Sequence, residues 1–336
     1  MTHVENPADP VWDAIYGISR FAALATMAEL GFADQLRDGP LSADQLAQRC
    51  GAHPLSVRRV LRELASMGFV RSVPEGYAVT ESGLTLADDS PGSVRSAIRL
   101  VREEAYWYGM GTLPETVRTG RSSFTERYGP VYRYLADRPD TAALFDDYMA
   151  VRAVPFADGL AAGYDFTGVR KVVDVGGGRG QILGALLNAY PEMTGVLFDL
   201  DRVIPSGRAA MTAAGLAGRC EFVVGDFFAG LPAGADVYVL ANVIHNWNDD
   251  DSVRILRNVR TAMTADGRVL ILEIVLSDDD SPHLGKDGDM RMLALTGEGM
   301  ERTRAEYQTL LEKSGLTTAR IVELPGWASV IEAVPI

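Results

Sequence analysis

The hydrophobic positions of this chain change their period along its length, and each change marks a different kind of element. Over residues 12–36, Ile15, Ile18, Phe21, Ala22, Leu24, Met27, Leu30 and Phe32 recur at helical spacing, which predicts an amphipathic or largely buried pair of helices. In the next stretch Ser42 is placed to cap a short helix, Gly51 to break it and Pro54 to open a second. Phe69 to Val73 and Tyr77 to Thr80 then read as strands around the turn Pro74-Glu75-Gly76, completing a winged helix-turn-helix pattern. Helical spacing returns from about 95 to 155, now rich in aromatic residues: Tyr106, Trp107, Tyr108, Phe124, Tyr128, Tyr132, Tyr134, Phe145 and Tyr148. Most of these rings suit a core, and some suit the wall of a pocket for a flat apolar molecule.

After Gly168 the rhythm becomes short, continuous apolar runs separated by helical segments: KVVDV, GVLFDL, EFVVGD, DVYVLANV and RVLILEIVL. Strands apolar on both faces and alternating with helices predict an α/β fold with a doubly wound parallel sheet. Near the end, ARIVEL and ASVIEAV flank Pro325-Gly326-Trp327, and so short a link joins antiparallel neighbours. The sheet is therefore expected to close on a carboxy-terminal hairpin.

Composition narrows the partners. The chain has 336 residues, 47% of them hydrophobic, enough for two or three packed units at the usual ~100–200 residues per domain. Lys and Arg total 32 against 45 Asp and Glu, a net charge of −13 that opposes a polyphosphate partner. The winged-helix segment carries Arg58, Arg59 and Arg62, yet Glu63 interrupts them, so packing is the better reading than DNA binding. Cys50 and Cys220 lack the spacing of a metal or redox motif. The start, MTHVENPADP, does not read as a signal peptide, and no run of 18 apolar residues occurs, so a cytoplasmic protein away from membranes is expected.

Candidate chemistry clusters at the ends of the predicted strands. Asp174 leads into Gly176-Gly177-Gly178-Arg179-Gly180, a turn where missing Cβ atoms let the backbone approach a ligand beside a helix amino terminus. A dinucleotide site competes, but Gln181 stands where its fingerprint needs a third glycine. Asp199, 25 residues after Asp174, is placed to accept both ribose hydroxyls of a nucleoside. Asp226 is placed for an adenine amino group, with Phe227 to stack on the ring. His245 lies just beyond the fourth strand, the edge at which open α/β sheets bind ligands, whereas His3, His53 and His283 fall in terminal or loop segments.

Together these residues resemble the class I S-adenosylmethionine-dependent O-methyltransferases of small-molecule metabolism, the caffeate-type plant enzymes and their bacterial antibiotic-tailoring relatives. The resemblance rests on VDVGGGRG, FDL at 198–200, GDFF at 225–228, HNW at 245–247 and ERT at 301–303, in that order. It implies a Rossmann-like methyltransferase sheet behind a mainly helical winged-helix dimerisation domain. It divides the chain into a dimerisation domain at 1–100, a helical connector to the acceptor pocket at 101–155 and a catalytic domain at 156–336. Asp174, Gly176, Gly177, Gly178, Asp199, Asp226, Phe227, Asn242 and Trp247 are then expected to hold S-adenosylmethionine, leaving S-adenosylhomocysteine as product. His245 falls on the general base, and Glu273 and Glu301 on the acids that orient it. Trp107, Phe145, Met149, Asn246, Met292 and Thr296 are expected to line the pocket of a small aromatic acceptor, in a homodimer that needs no metal.

Two departures stand out: Asn246 where many relatives have aspartate, and Ala241 where many have lysine. They keep open methylation at carbon or nitrogen, or a non-methylating relative that retains the cofactor. A ligand-responsive DNA-binding regulator and a nicotinamide oxidoreductase are the remaining alternatives.

Overall fold

The apolar runs become strands because each offers side chains to two faces at once. In the computed structural model, which describes residues 6–324 and 328–336, the wing is β1 (Val70–Val73) and β2 (Gly76–Val79). The large sheet comprises β3 (Lys171–Val175), β4 (Thr194–Asp199), β5 (Cys220–Val224), β6 (Val237–Ala241), β7 (Arg268–Glu273), β8 (Leu316–Glu323) and β9 (Ser329–Pro335). Along β3, Val172 joins a core on one face and Val173 a core on the other; β6 and β7 alternate in the same way. Ile182, Leu183, Leu186 and Leu187 of helix Gln181–Ala189 complete the first core. Ile255, Leu256 and Val259 of helix Asp249–Ala262 and Tyr307, Leu310 and Leu311 of helix Arg304–Lys313 complete the second.

The spatial order is β5-β4-β3-β6-β7-β9-β8. β3 to β7 pair in parallel, and β9 runs antiparallel to both β7 and β8. This is the parallel sheet with an antiparallel carboxy-terminal pair expected from the sequence; the turn Pro325-Gly326-Trp327 itself lies outside the described residues. All five parallel strands deliver their carboxyl ends to one edge, where the candidate residues sit.

Two compact units share the chain: one of residues up to Trp107 with Ala143–Val151, the other Tyr108–Ala142 with Arg152–Ile336. The segment 101–155 is thus divided between them. In the first unit, Ser42 and Gln45 form a reciprocal cap on helix Ala43–Arg49, and Pro54 opens helix Pro54–Ser66. The expected helix pair is Asp9–Leu30 and Phe32–Leu36, but its apolar stripe serves two purposes. Met27 and Phe32 are core, whereas Val11, Trp12, Ile15, Tyr16 and Ile18 are each 47–60% exposed. No helix among the described residues is long and apolar enough to cross a membrane.

Candidate active site

The site is built around the turn that follows β6. Asn242 takes a left-handed conformation (φ 53°), alone among the described non-glycine residues, and this reverses the chain directly after the strand. Its N–H is anchored on the Leu272 carbonyl of β7 at 3.0 Å. A single 3-10 turn, Ile244–Asn246, then carries His245. The Asn246 amide donates to the Asn242 and Val243 carbonyls at 3.0 and 3.3 Å, so this side chain is committed to the turn. An aspartate there would have no hydrogen to give.

Two acids converge on the imidazole. Glu273, at the end of β7, and Glu301, before helix Arg304–Lys313, are both buried, as is His245. Nδ1 lies 3.0 Å from Glu301 Oε1 and 3.2 Å from Glu273 Oε2, and the His245 backbone N–H donates to Glu273 Oε1 at 3.3 Å. With Nδ1 engaged, Nε2 is the ring nitrogen left for a ligand. Burial alone would lower the histidine's pKa, but the Glu273 and Glu301 charges outweigh it and the net direction is upward. Burial, reinforced by Glu301 and opposed by His245, pushes Glu273 up to about 7.

The order Glu301-Arg302-Thr303 does not by itself reveal what its central residue does. Arg302 is wholly buried and donates to the Ile244 and Trp247 carbonyls on either side of His245, at 3.3 and 2.8 Å, and to Asp249 Oδ1 at 3.0 and 3.2 Å. It is a rigid fork that fixes the turn from behind. Gly299 is required nearby, because a Cβ there would lie 2.6 Å from the His245 carbonyl oxygen.

The nucleoside-type residues occupy the neighbouring strand ends. The Gly176 N–H donates to the Phe198 carbonyl at 2.8 Å and the Gly178 N–H to Asp199 Oδ2 at 2.8 Å, while Asp199 Oδ1 accepts from Leu200 at 2.6 Å. Asp199 thus braces the glycine loop from the end of β4. A Cβ on Gly177 would stand 2.5 Å from Leu197 and 2.6 Å from Asp174, so glycine keeps this cradle open. Asp226 is exposed, with Oδ1 on the Phe228 N–H at 2.9 Å. Phe227, Phe228 and Trp247 meet edge to face, and Tyr132 stacks on Trp247 at 6.0 Å. Asn242 Oδ1 is buried without a hydrogen-bond partner, an acceptor awaiting a donor. Open loop, paired acids, aromatic ledge and orphaned acceptor fit a cationic nucleoside.

The expected acceptor-pocket residues fall in both compact units. Thr296 and Met292 lie at the end of helix Leu284–Leu295, where the Thr296 hydroxyl donates to the Met292 carbonyl at 2.8 Å and accepts from Gly299 at 3.0 Å. Trp107, Phe145 and Met149 belong to the first compact unit, and Trp107 packs edge-on against Phe21.

Residues 110–317 match the model of the O-methyltransferase domain, and residues 12–89 that of the O-methyltransferase dimerisation domain. The chain is similar to a phenazine O-methyltransferase of Lysobacter antibioticus, 37% identical over 94% of this chain and 92% of that one. It is also similar to an 8-amino-8-demethylriboflavin N,N-dimethyltransferase of Streptomyces davaonensis, 38% identical over 87% and 85%. Among solved structures, an O-methyltransferase from neocarzinostatin biosynthesis, in complex with S-adenosylmethionine and 2-hydroxy-5-methyl naphthoic acid, superposes with TM-score 0.80 and 34% identity, covering 94% of this chain and 96% of that one.

The buried acid under the glycine loop makes stability depend on pH. Burial pushes Asp174 up to about 7, against one hydrogen bond from the Leu183 N–H and with the Asp199 charge adding to the rise. Above its ordinary value of 3.8 the unfolded chain releases this proton while the folded chain keeps it. Its contribution to stability therefore falls as pH rises to about 7 and then levels off. Asp174→Asn cannot ionise, so its urea midpoint should drop less than the wild type's between pH 4 and pH 7 at unchanged slope; identical drops would contradict the assignment.

Proposed function

The chain belongs to the O-methyltransferase family and is an S-adenosylmethionine-dependent methyltransferase, and from that premise we propose that it methylates a phenolic hydroxyl of a flat aromatic or polyketide-type metabolite, with His245 as general base. The observation that carries this reading is the buried imidazole whose Nδ1 is held 3.0 Å from Glu301, leaving Nε2 for the acceptor. A phenol with a pKa of about 10 is almost wholly protonated at neutral pH, whereas an imidazole can take its proton as the oxygen attacks. Glu273 or Glu301 would hold the ring in one tautomer and stabilise its cationic form, as the acid of a triad does. Asp199 would hold the ribose, and Asp226 with Phe227 the adenine; the glycine loop from Gly176 would lie under the methionine part. When bound, S-adenosylmethionine supplies a methyl group already activated on a sulfonium sulfur, so no metal is needed. The chain's own task is to align the acceptor oxygen and exclude water.

The relatives that act on phenazines or bind naphthoic acid support a flat acceptor. Met292 and Thr296 are proposed to line its pocket. We keep the division into dimerisation, connector and catalytic segments at 1–100, 101–155 and 156–336. The reducing cytoplasm suits the unpaired Cys50 and Cys220.

Incubation with cofactor labelled in the methyl group should yield an aryl methyl ether. A label on nitrogen, the reaction of the riboflavin-type relative, or on carbon would replace this reading. His245→Ala should lose turnover by ~100-fold or more while cofactor affinity is kept; Asp199→Ala should weaken the cofactor by ~10-fold or more through loss of a half-buried acceptor. Calorimetry and steady-state kinetics separate the two, and full turnover in His245→Ala sinks the base.

The exposed stripe Val11, Trp12, Ile15, Tyr16 and Ile18 lies at the start of the segment matched by the dimerisation domain, and we propose that a second subunit covers it in a homodimer. Sedimentation should give twice the 36.3 kDa chain mass, and Ile15→Glu with Ile18→Glu should shift it toward the monomer. A monomeric wild type at micromolar concentration would contradict the assembly.

A further inference from the structure

Two carboxylates face one ring nitrogen that carries at most one hydrogen, so they cannot both be satisfied by it. The geometry separates them. Glu301 Oε1 makes the hydrogen bond with Nδ1 at 3.0 Å, whereas Glu273 Oε2, though only 3.2 Å away, makes none. The remaining oxygen of Glu273 has a single long contact, the 3.3 Å bond from the His245 backbone. Glu273 is wholly buried, and Glu301 Oε2 is likewise buried without a partner. Polar atoms of His245, Glu273 and Glu301 all lie within 4.8 Å of one another, so two full negative charges would be crowded into one buried cluster in which each acid has an oxygen without a hydrogen-bond donor.

We propose that the two acids are unequal: Glu301 is the anion that holds the Nδ1 hydrogen of His245, and Glu273 is a carboxylic acid that keeps its proton through turnover. This deepens the general-base reading above and rests on it. The charged and titratable groups acting on Glu273 are His245, Glu301 and Arg152, with Tyr132 and Tyr307 also within its field. Arg152 is the cation among them, and it acts on His245 as well. Two full anions beside the ring would hold His245 in its cationic form, in which it accepts nothing. One anion leaves it neutral and ready. The upward direction found for Glu273, caused first by burial, opposed by His245 and reinforced by Glu301, agrees; with Glu273 neutral, its share of the rise at His245 is lost and the hydrogen bond and charge of Glu301 carry it.

The proton inventory closes. When the acceptor O–H bond breaks, its electron pair stays on oxygen and the proton forms an N–H bond at Nε2. The buried cluster of ring and two acids passes from one net negative charge to none. Glu273 neither gains nor loses a proton, and Nε2 returns its own to water after product leaves.

The test compares Glu273→Gln with Glu301→Gln, since glutamine mimics a protonated acid but not an anion. Glu273→Gln should fold and leave the acid limb of the kcat–pH profile where it is, with any loss of kcat at least ~30-fold smaller than that of Glu301→Gln, which should lose ~100-fold or more and shift that limb to lower pH. Nitrogen NMR of the His245 ring, with no acceptor present, should show a lower pKa in Glu301→Gln only. Equal losses in both variants, equal NMR shifts, or failure of Glu273→Gln to fold would overturn the inequality. If His245→Ala turns over normally, the base reading fails instead, and the two failures are told apart.

Discussion

A buried arginine fork holds the part of this protein on which its chemistry depends. Arg302 takes the carbonyls on both sides of His245, and Asp249 answers its charge at the start of the following helix. Breaking one partner of a buried charged network leaves the other uncompensated, which is why such a device holds its geometry firmly. The neighbours of Arg302 extend the same construction. Glu301 before it reaches the imidazole, and Thr303 after it caps helix Arg304–Lys313 in a reciprocal pair with Glu306. Three consecutive residues thus tie the base, the turn beneath it and a helix of the sheet's outer layer into one unit.

The parallel sheet makes this possible by bringing distant residues to one edge. Asp199, Asn242 and Glu273 are far apart in sequence but lie at the carboxyl ends of β4, β6 and β7, and the register that pairs Ala241 with Leu272 in the adjacent strands β6 and β7 sets the turn beside its acid. The same edge carries half-buried negative charge at Asp199, a poor place for pyrophosphate and a favourable one for a sulfonium. The net charge of −13 is expressed locally where a cationic ligand belongs.

Much of this was legible in the residues. The strands announced themselves as runs apolar on both faces, and the glycine loop and His245 followed from their place at strand ends. What escaped was of two kinds. Periodicity reports that a helix face is apolar but not what covers it, so Ile15 and Ile18 read like Met27 although they are exposed in the single chain. Functions that depend on backbone geometry are equally silent: Asn246 read as a pocket residue by analogy, yet its amide holds two carbonyls of its own turn. Arg302 lies inside the ERT motif, but only the folded turn shows which carbonyls its guanidinium holds.

The claim that His245 acts as a base, beyond fixing position, is tested most directly by single-turnover rates across acceptors of graded hydroxyl acidity. In His245→Ala the deficit relative to wild type should be large for ordinary phenols and shrink steadily as the acceptor becomes acidic enough to ionise by itself. A deficit of the same size for every acceptor would show that the imidazole only positions the substrate, and would contradict the account.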